Sequence, residues 1–435
     1  MDARPQTLSD WLDYQQRVHP RAIELGLERV REVWRRLGAP APAPVAITVG
    51  GTNGKGSTVA FLEAMLAADG RRVGAYTSPH LLHYNERVRV AGRDADDAAL
   101  VEAFERIEAA RGAMPLTYFE YGTLAALWIF SRSALDVAVL EVGLGGRLDA
   151  VNLVDADVAI VTTVDLDHQD WLGDDRDAIG REKAGIFRAG RAAIVGEPDP
   201  PRGLLDAARH VGADLRIAGR DFRAEPQAGG WRWTGRDAEG ADVALHLPLP
   251  ALDAPCQVAN AAAAIAALQA LRARLGWNPH ALAAGVAQAR VAARLQRFGR
   301  DPELVVDVAH NPQAARALAA WLRARPHRGR TLAAFGALGD KDVRGIAQAL
   351  AGAIDAWFLA GLERDSPRGL DAAALEEAFA GAQVPGLRSP HANVDAALQA
   401  AFAHARPGDR VLAFGSFFVA AAALAFAERR GMRPA

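Results

Sequence analysis

Apolar residues along the chain fall into short, β-branched runs that alternate with segments of helical period. Val45–Val49 is such a run, followed by glycines and then a helical pattern from about Ser57 to Asp69. Leu135–Val142 (LDVAVLEV) and Asp157–Val164 (DVAIVTTV) repeat the theme. Runs that are apolar at every position fit strands covered on both faces, hence a parallel sheet flanked by helices. From about 198 to 250 the rhythm breaks into Gly/Pro punctuation and short alternating pieces (WRWTG, DVALHLPL), which predicts a small peripheral β region. Val258–Leu275 reads as a long alanine-rich helix. A second series begins near Arg300, with strands at Leu304–Val308, Thr331–Phe335, Asp355–Ala360 and Arg410–Phe414 and a helix at Pro312–Ala324. The pattern predicts two α/β domains, 1–293 and 300–435, joined by a linker at 294–299.

Composition trims the function classes. Lys and Arg number 50 against 52 Asp and Glu, a net charge of -2, which excludes a generally basic nucleic-acid binder. No apolar stretch approaches the roughly 18 residues of a membrane helix, the nearest being Phe417–Ala427, so no membrane association is expected. The N-terminal MDARPQTLSDWLDYQQ lacks the basic, apolar, small-residue order of a secretory signal. The single cysteine, Cys256, has no disulfide partner in the chain and no partner set for nucleophilic catalysis. These features point to a structural thiol and a reducing, cytoplasmic setting. With no coiled-coil pattern, a monomer is the expectation.

Chemistry is concentrated in the glycines. Residues 49–58, VGGTNGKGST, lie between a strand and a helix. Glycines let backbone N–H groups turn toward phosphate oxygens, and the helix start adds partial positive charge. Lys55 can reach β/γ-phosphates, and Ser57 or Thr58 can approach a bound Mg²⁺. The generic phosphate loop has Ser or Thr directly after the lysine, whereas here Gly56 intervenes.

Three further positions stand out. Glu141 ends a wholly apolar strand, where open α/β sheets place ligand chemistry, and a second glycine-dense loop (VGLGGRLDA) follows it. A metal or phosphate-side role suits it better than a turn cap. His168 lies just beyond the next strand among Asp165, Asp167 and Asp170. Oxygen ligands suit Mg²⁺ and imidazole is unusual there, so the residues alone leave His168 open between ligand and loop residue. Lys183, in GREKAGIFR, and Ser78, before Pro79, read by themselves as a surface lysine and a turn residue.

Taken together, the segments resemble one branch of the Mur ligase superfamily, the bacterial bifunctional dihydrofolate synthase/folylpolyglutamate synthases. The resemblance rests on GLERV (26–30), GTNGKGS (51–57), SPHLLHYNERVRV (78–90), LTYFEYGTLAALW (116–128), LEVGLGGRLDAVN (140–152), LDHQDWLG (166–173), GREKAGIFR (180–188), DVAHNP (307–312) and DKD (340–342). It implies a phosphate-loop, Mur-ligase-like domain with a parallel sheet, followed by a smaller Rossmann-like α/β glutamate ligase domain. It also implies an ATP-dependent ligase that joins L-glutamate to 7,8-dihydropteroate and to tetrahydrofolates through an acyl phosphate. By the same likeness, Gly51, Thr52, Asn53, Gly54, Lys55, Gly56 and Ser57 would cradle ATP phosphates. Asn260, Arg294, Asp307 and His310 would add further nucleotide contacts. Ser78, Glu141 and His168 would hold Mg²⁺, and Lys183 matches a lysine that the family carbamylates. Lys55, Glu141, His168 and Lys183 would then form the catalytic set. Ala22, Ile23 and Glu24, Thr117, Tyr118, Phe119 and Glu120, and Leu148, Asp149 and Ala150 match segments that contact the folate.

Two departures from the family pattern accompany the likeness. VAARLQRF (291–298) has Ala-Ala where relatives carry Pro-Gly before the arginine, and Phe418 stands where relatives often have histidine. The competing readings are a monofunctional folylpolyglutamate synthase, a cell-wall Mur ligase acting on a UDP-linked substrate, and a nucleotide-dependent regulatory protein. The cell-wall reading leaves LTYFEYGTLAALW and SPHLLHYNERVRV without a role.

Overall fold

The computed structural model describes residues 5–19, 21, 23–237 and 240–434. They divide into two units, one of residues up to 251 with 257–290, the other of 252–256 with 291 onward.

In the first unit the strands are β1 (Val45–Gly50), β2 (Val73–Tyr76), β3 (Val88–Val90), β4 (Arg93–Asp94), β5 (Val137–Glu141), β6 (Val158–Val161), β7 (Ala192–Val195) and β8 (Asp214–Ile217). They form one sheet in the order β4-β3-β2-β5-β1-β6-β7-β8. Strands β2, β5, β1, β6, β7 and β8 run parallel, and β3 and β4 turn back at one edge. All six residues of β1 are buried, as the continuous apolar run requires for a central strand covered on both faces. Val49 pairs with Glu141 and Gly50 with Val161, so the C-terminal ends of β1, β5 and β6 share one sheet edge.

The stretch from 198 to 250 departs from its reading as a β region. It contains the helix Arg202–Val211, with Leu204 and Ala208 buried, and then β8 of the main sheet. Only β9 (Phe222–Gln227), β10 (Gly230–Arg236) and β11 (Asp242–Pro248) form the separate antiparallel sheet. The prolines and glycines around that helix obscured its four-residue apolar spacing. The alanine-rich helix begins at Gln257 and ends at Ala270, with a further turn at Arg272–Leu275.

The second unit carries β12 (Gln296–Phe298), β13 (Glu303–Val306), β14 (Thr331–Phe335), β15 (Ala356–Ala360), β16 (Leu387–His391) and β17 (Arg410–Phe414). Their order is β12-β13-β17-β14-β15-β16, parallel except for β12. Phe335, Trp357, Phe379 and Phe414 pack edge-to-face or tilted in its core at centroid separations of 4.8–6.1 Å. Among the described residues, no helix is long and apolar enough to cross a membrane.

Candidate functional site

The loop after β1 is shaped by two glycines that tolerate no side chain. Gly51 has φ 141°, and a Cβ on it would sit 1.9 Å from the Thr162 hydroxyl. Gly54 has φ 89°, and its Cβ would meet the Asn260 side-chain oxygen at 2.5 Å. Helix Lys55–Ala68 starts immediately afterwards. The segment following β6 clasps the loop from the side. Thr52 donates its N–H to the Thr163 carbonyl at 2.7 Å, Asn53 donates to the Thr163 hydroxyl at 3.1 Å, and Thr162 donates its hydroxyl to the Asn53 carbonyl at 2.6 Å. From the opposite side Gln257 donates to the Ser57 hydroxyl at 3.2 Å and receives a bond from Asn260 at 3.0 Å. Asn260, expected among the nucleotide contacts, is therefore beside the loop.

Lys55 donates to the Gly51 and Thr52 carbonyls at 3.1 and 3.3 Å. Lys183, which by itself reads as a surface residue, is instead buried, and its Nζ donates to the same Gly51 carbonyl at 3.1 Å. Burial, reinforced by the neighbouring Lys55 charge, brings the Lys183 ammonium down to about 7.

Glu141, buried at the end of β5, accepts the Ser78 backbone N–H at 3.2 Å. Its carboxylate oxygens lie 3.7 and 3.8 Å from where a Cβ on Gly56 would stand, against the first turn of the loop helix. A hydroxyl-bearing residue and a carboxylate side by side at a phosphate loop fit a hard divalent cation that keeps water and phosphate oxygens as its other ligands. The described residues hold no group of three or more His, Cys, Asp or Glu able to cage a metal alone. His168 occupies a left-handed backbone position (φ 53°) just past β6 and is about one-third exposed. Its N–H donates to the Asp167 carboxylate at 2.9 Å, and its Nε2 lies 4.0 Å from the same group.

The segments expected to contact the folate converge. Gly26 donates its N–H to the Leu148 carbonyl at 3.2 Å, which brings the stretch after Ile23 and Glu24 against 148–150. Arg29 joins Glu24 at 2.7 Å to Glu120 at 2.9 Å. Thr117 and Glu120 cap the helix Tyr118–Ser131 reciprocally. Phe119 packs so closely on Gly143 that a Cβ there would lie 2.5 Å from the ring, and it faces Tyr76 at 6.1 Å. Asp149 is buried and caps the turn Ala150–Leu153, receiving the Leu144 and Val151 N–H groups at 2.8 and 2.9 Å. Burial raises its carboxyl to about 6. Ala22 lies outside the described residues.

In the second unit Asp307 follows β13 and binds the Leu295 and Ala309 N–H groups at 2.9 and 2.7 Å. Burial raises its carboxyl, and the nearby Arg294 charge opposes that rise. His310 faces Phe417 at 6.1 Å, while Phe418 is exposed. The loss of Pro-Gly before Arg294 leaves the left-handed turn intact, because Ala293 adopts φ 54° in its place.

Several supporting residues had no local signal. Thr162, Thr163, Gln257 and Arg29 act on partners far away in sequence. Arg87 is buried over the Tyr84 and Tyr118 rings at 5.1 and 5.4 Å and donates to His80 Nδ1 at 2.9 Å. Burial and that arginine hold His80 at about 4, so it is neutral.

Comparison with known proteins adds to this geometry. Residues 49–268 match the model of the Mur ligase middle domain, and residues 293–417 match that of the Mur ligase glutamate ligase domain. The chain is 47% identical over 414 residues to the dihydrofolate synthase/folylpolyglutamate synthase of Escherichia coli K12, covering 95% of this chain and 94% of that protein. It superposes on E. coli FolC in complex with DHPP and ADP with a TM-score of 0.90 and 45% identity, over 98% and 99% of the two chains. A bifunctional folylpolyglutamate synthase/dihydrofolate synthase with Mn, AMPPNP and L-glutamate bound gives 0.88 and 43%, over 97% and 98%.

Proposed function

The chain belongs to the Mur ligase family, on its dihydrofolate synthase/folylpolyglutamate synthase branch, and is an ATP-dependent ligase; we propose that it joins L-glutamate to 7,8-dihydropteroate and to tetrahydrofolates. The observation that carries this reading lies in the first unit. A phosphate loop bearing Lys55 stands over the buried Lys183, and Glu24, Glu120 and Leu148 are linked by Arg29 and Gly26 in the same unit.

A carboxylate is a poor acyl donor because its leaving group would be oxide. Attack of the substrate carboxylate on the γ-phosphate gives an acyl phosphate and ADP. The glutamate amine then attacks the carbonyl carbon, and phosphate leaves from the tetrahedral intermediate. The first step brings an anion to a polyanion, so positioning and charge stabilisation dominate it. In this reading the loop amides of Gly51–Ser57 and the Lys55 ammonium hold the phosphates, and Asn260, Arg294, Asp307 and His310 contact the nucleotide. Ser78, Glu141 and His168 would hold Mg²⁺, which supplies charge neutralisation at the β/γ-phosphates. Lys183, carbamylated, would turn a cation into a carboxylate-like group beside the loop. Its lowered proton affinity favours the neutral amine that takes up CO₂. Ile23, Glu24, Thr117–Glu120 and Leu148–Ala150 would seat the pterin end. The enzyme is read as a cytoplasmic monomer, in keeping with its single cysteine.

The test is an assay of ADP formation with ATP, Mg²⁺ and glutamate against two acceptors. Turnover with both 7,8-dihydropteroate and tetrahydrofolate is expected. Turnover with tetrahydrofolate alone would make the enzyme a monofunctional folylpolyglutamate synthase, and turnover with neither would overturn the substrate assignment.

A further inference from the structure

The second unit has a cavity of about 650 Å³ at the edge of its sheet opposite Asp307. Strand β13 starts at Glu303 and β17 at Arg410, and the two run parallel, so both starts share the cavity's edge. Four residues of strand, roughly 13 Å, separate Glu303 from Asp307. Ligands of open α/β sheets normally bind at the other, carboxyl edge, where Asp307 and His310 stand.

The lining is dominated by guanidinium groups. Arg297, Arg300, Arg325 and Arg410 face the cavity together with Glu303 and Asp409. Both carboxylates are engaged within the protein. Glu303 is gripped by Arg297 and by Arg410, the latter at 2.9 Å. Asp409 accepts from the Arg330 side chain at 2.7 Å and from the Arg406 N–H at 2.9 Å. Arg325 is paired with Asp253. Together with Arg330, Asp253 and Asp301, whose carboxylate accepts the Gly408 N–H, five guanidiniums thus meet four carboxylates, an excess of one positive charge.

The donor capacity is incompletely used. The Arg410 side chain is only 5% exposed and stacks on Trp321 at 4.9 Å, yet its two terminal nitrogens reach only the Arg325 carbonyl, at 3.5 Å. Such contacts are at the limit of a hydrogen bond, and a buried charged donor left short of acceptors is costly. Arg300 is exposed and makes no ion pair among the described residues. Planar guanidiniums recognise phosphate and carboxylate oxygens through paired N–H donors.

We propose that this cavity is a second binding site, separate from the ligase centre, for a small polyanion with two or more phosphate or carboxylate groups. The volume falls in the range of small-molecule sites and exceeds what a single inorganic ion fills. The assignment is independent of the substrates proposed above.

The experiment uses the full-length protein saturated with ADP and dihydropteroate, titrated calorimetrically with pyrophosphate in one arm and a triglutamate peptide in the other. Binding in either arm, weakened about tenfold or more by Arg300→Glu and by Arg325→Gln, is expected, with ligase turnover in both variants staying near that of the wild type. The arm that binds identifies phosphate or carboxylate as the ligand's chemistry, and binding in both supports the shared polyanion chemistry. Arg300→Glu replaces an exposed side chain and keeps the fold, which circular dichroism checks. Absence of binding in both arms, or equal affinity in wild type and Arg300→Glu, overturns the site.

Discussion

Lys55 and Lys183 share an acceptor: the side-chain nitrogen of each donates to the Gly51 carbonyl oxygen at 3.1 Å. Two ammonium groups on one oxygen repel each other, and that repulsion adds to burial in lowering the proton affinity of Lys183.

In the proposed reaction Lys55 is the member that reaches toward phosphate. Lys55→Ala is expected to lower ADP formation from ATP, dihydropteroate and glutamate by about 10²–10³, the loss typical of one preorganised charge contact. Near-normal turnover in a coupled ADP assay would sink the phosphate-loop assignment.

Lys183 is expected to carry carbon dioxide. Protein equilibrated with ¹³C-bicarbonate should give a carbamate resonance that Lys183→Met lacks; an active enzyme with only the unmodified amine would count against the modification. A second readout concerns the CO₂-free protein. Its unfolded chain keeps the lysine proton up to 10.5, whereas the native state releases it near 7. The unfolded state then binds more protons across that window, so this group's contribution to stability rises with pH there. Urea unfolding at two pH values inside the window should show the rise in wild type and its loss in Lys183→Met.

Arg29 neutralises two carboxylates at once, Glu24 at 2.7 Å and the buried Glu120 at 2.9 Å. Arg29→Met leaves them facing each other and is expected to cost about 3 kcal/mol of stability. In the folded variant KM should rise for the pteroate acceptor and stay unchanged for ATP. A parallel rise in both would remove Arg29 from the substrate side.

Ala293 is held in a left-handed conformation with φ 54°. A left-handed alanine costs about 1–2 kcal/mol, part of which glycine gives back through its freer unfolded chain. Glycine also forfeits the buried Ala293 methyl, worth about 0.8 kcal/mol, so Ala293→Gly is expected to stay within about 1 kcal/mol of the wild type despite the relieved strain. A denaturation midpoint raised by more than that would mean that the strain of the turn outweighs the packing of the methyl.

Much of the centre was legible because its signals are local. GTNGKGS declares a glycine loop between strand and helix, and LDVAVLEV declares a covered strand that delivers Glu141 to the sheet edge. The clasp was invisible for the opposite reason. Thr52 and Asp165 stand 113 residues apart, and Arg29 and Glu120 stand 91 apart, so no periodicity connects them. GREKAGIFR has the spacing of a helix with a polar face, and nothing within it tells that Lys183 points inward beneath another loop. Where relatives carry Pro-Gly, Ala293 holds a left-handed turn, because packing that leaves it fully buried outweighs the local preference for glycine.

The bond from Gln257 to Ser57 spans 200 residues and ties the phosphate loop to the alanine-rich helix of the first unit. This has a consequence for biosynthesis. As the chain leaves the ribosome, the loop appears early but lacks its β6 clasp until about Asp165 has emerged, and lacks Gln257 and Asn260 for longer still. Through that interval a nascent chain exposes an unfinished nucleotide site and a sheet whose central strand awaits partners from later sequence, the non-local order that slows folding. The loop's own supports are thus complete only near the end of the first unit's synthesis.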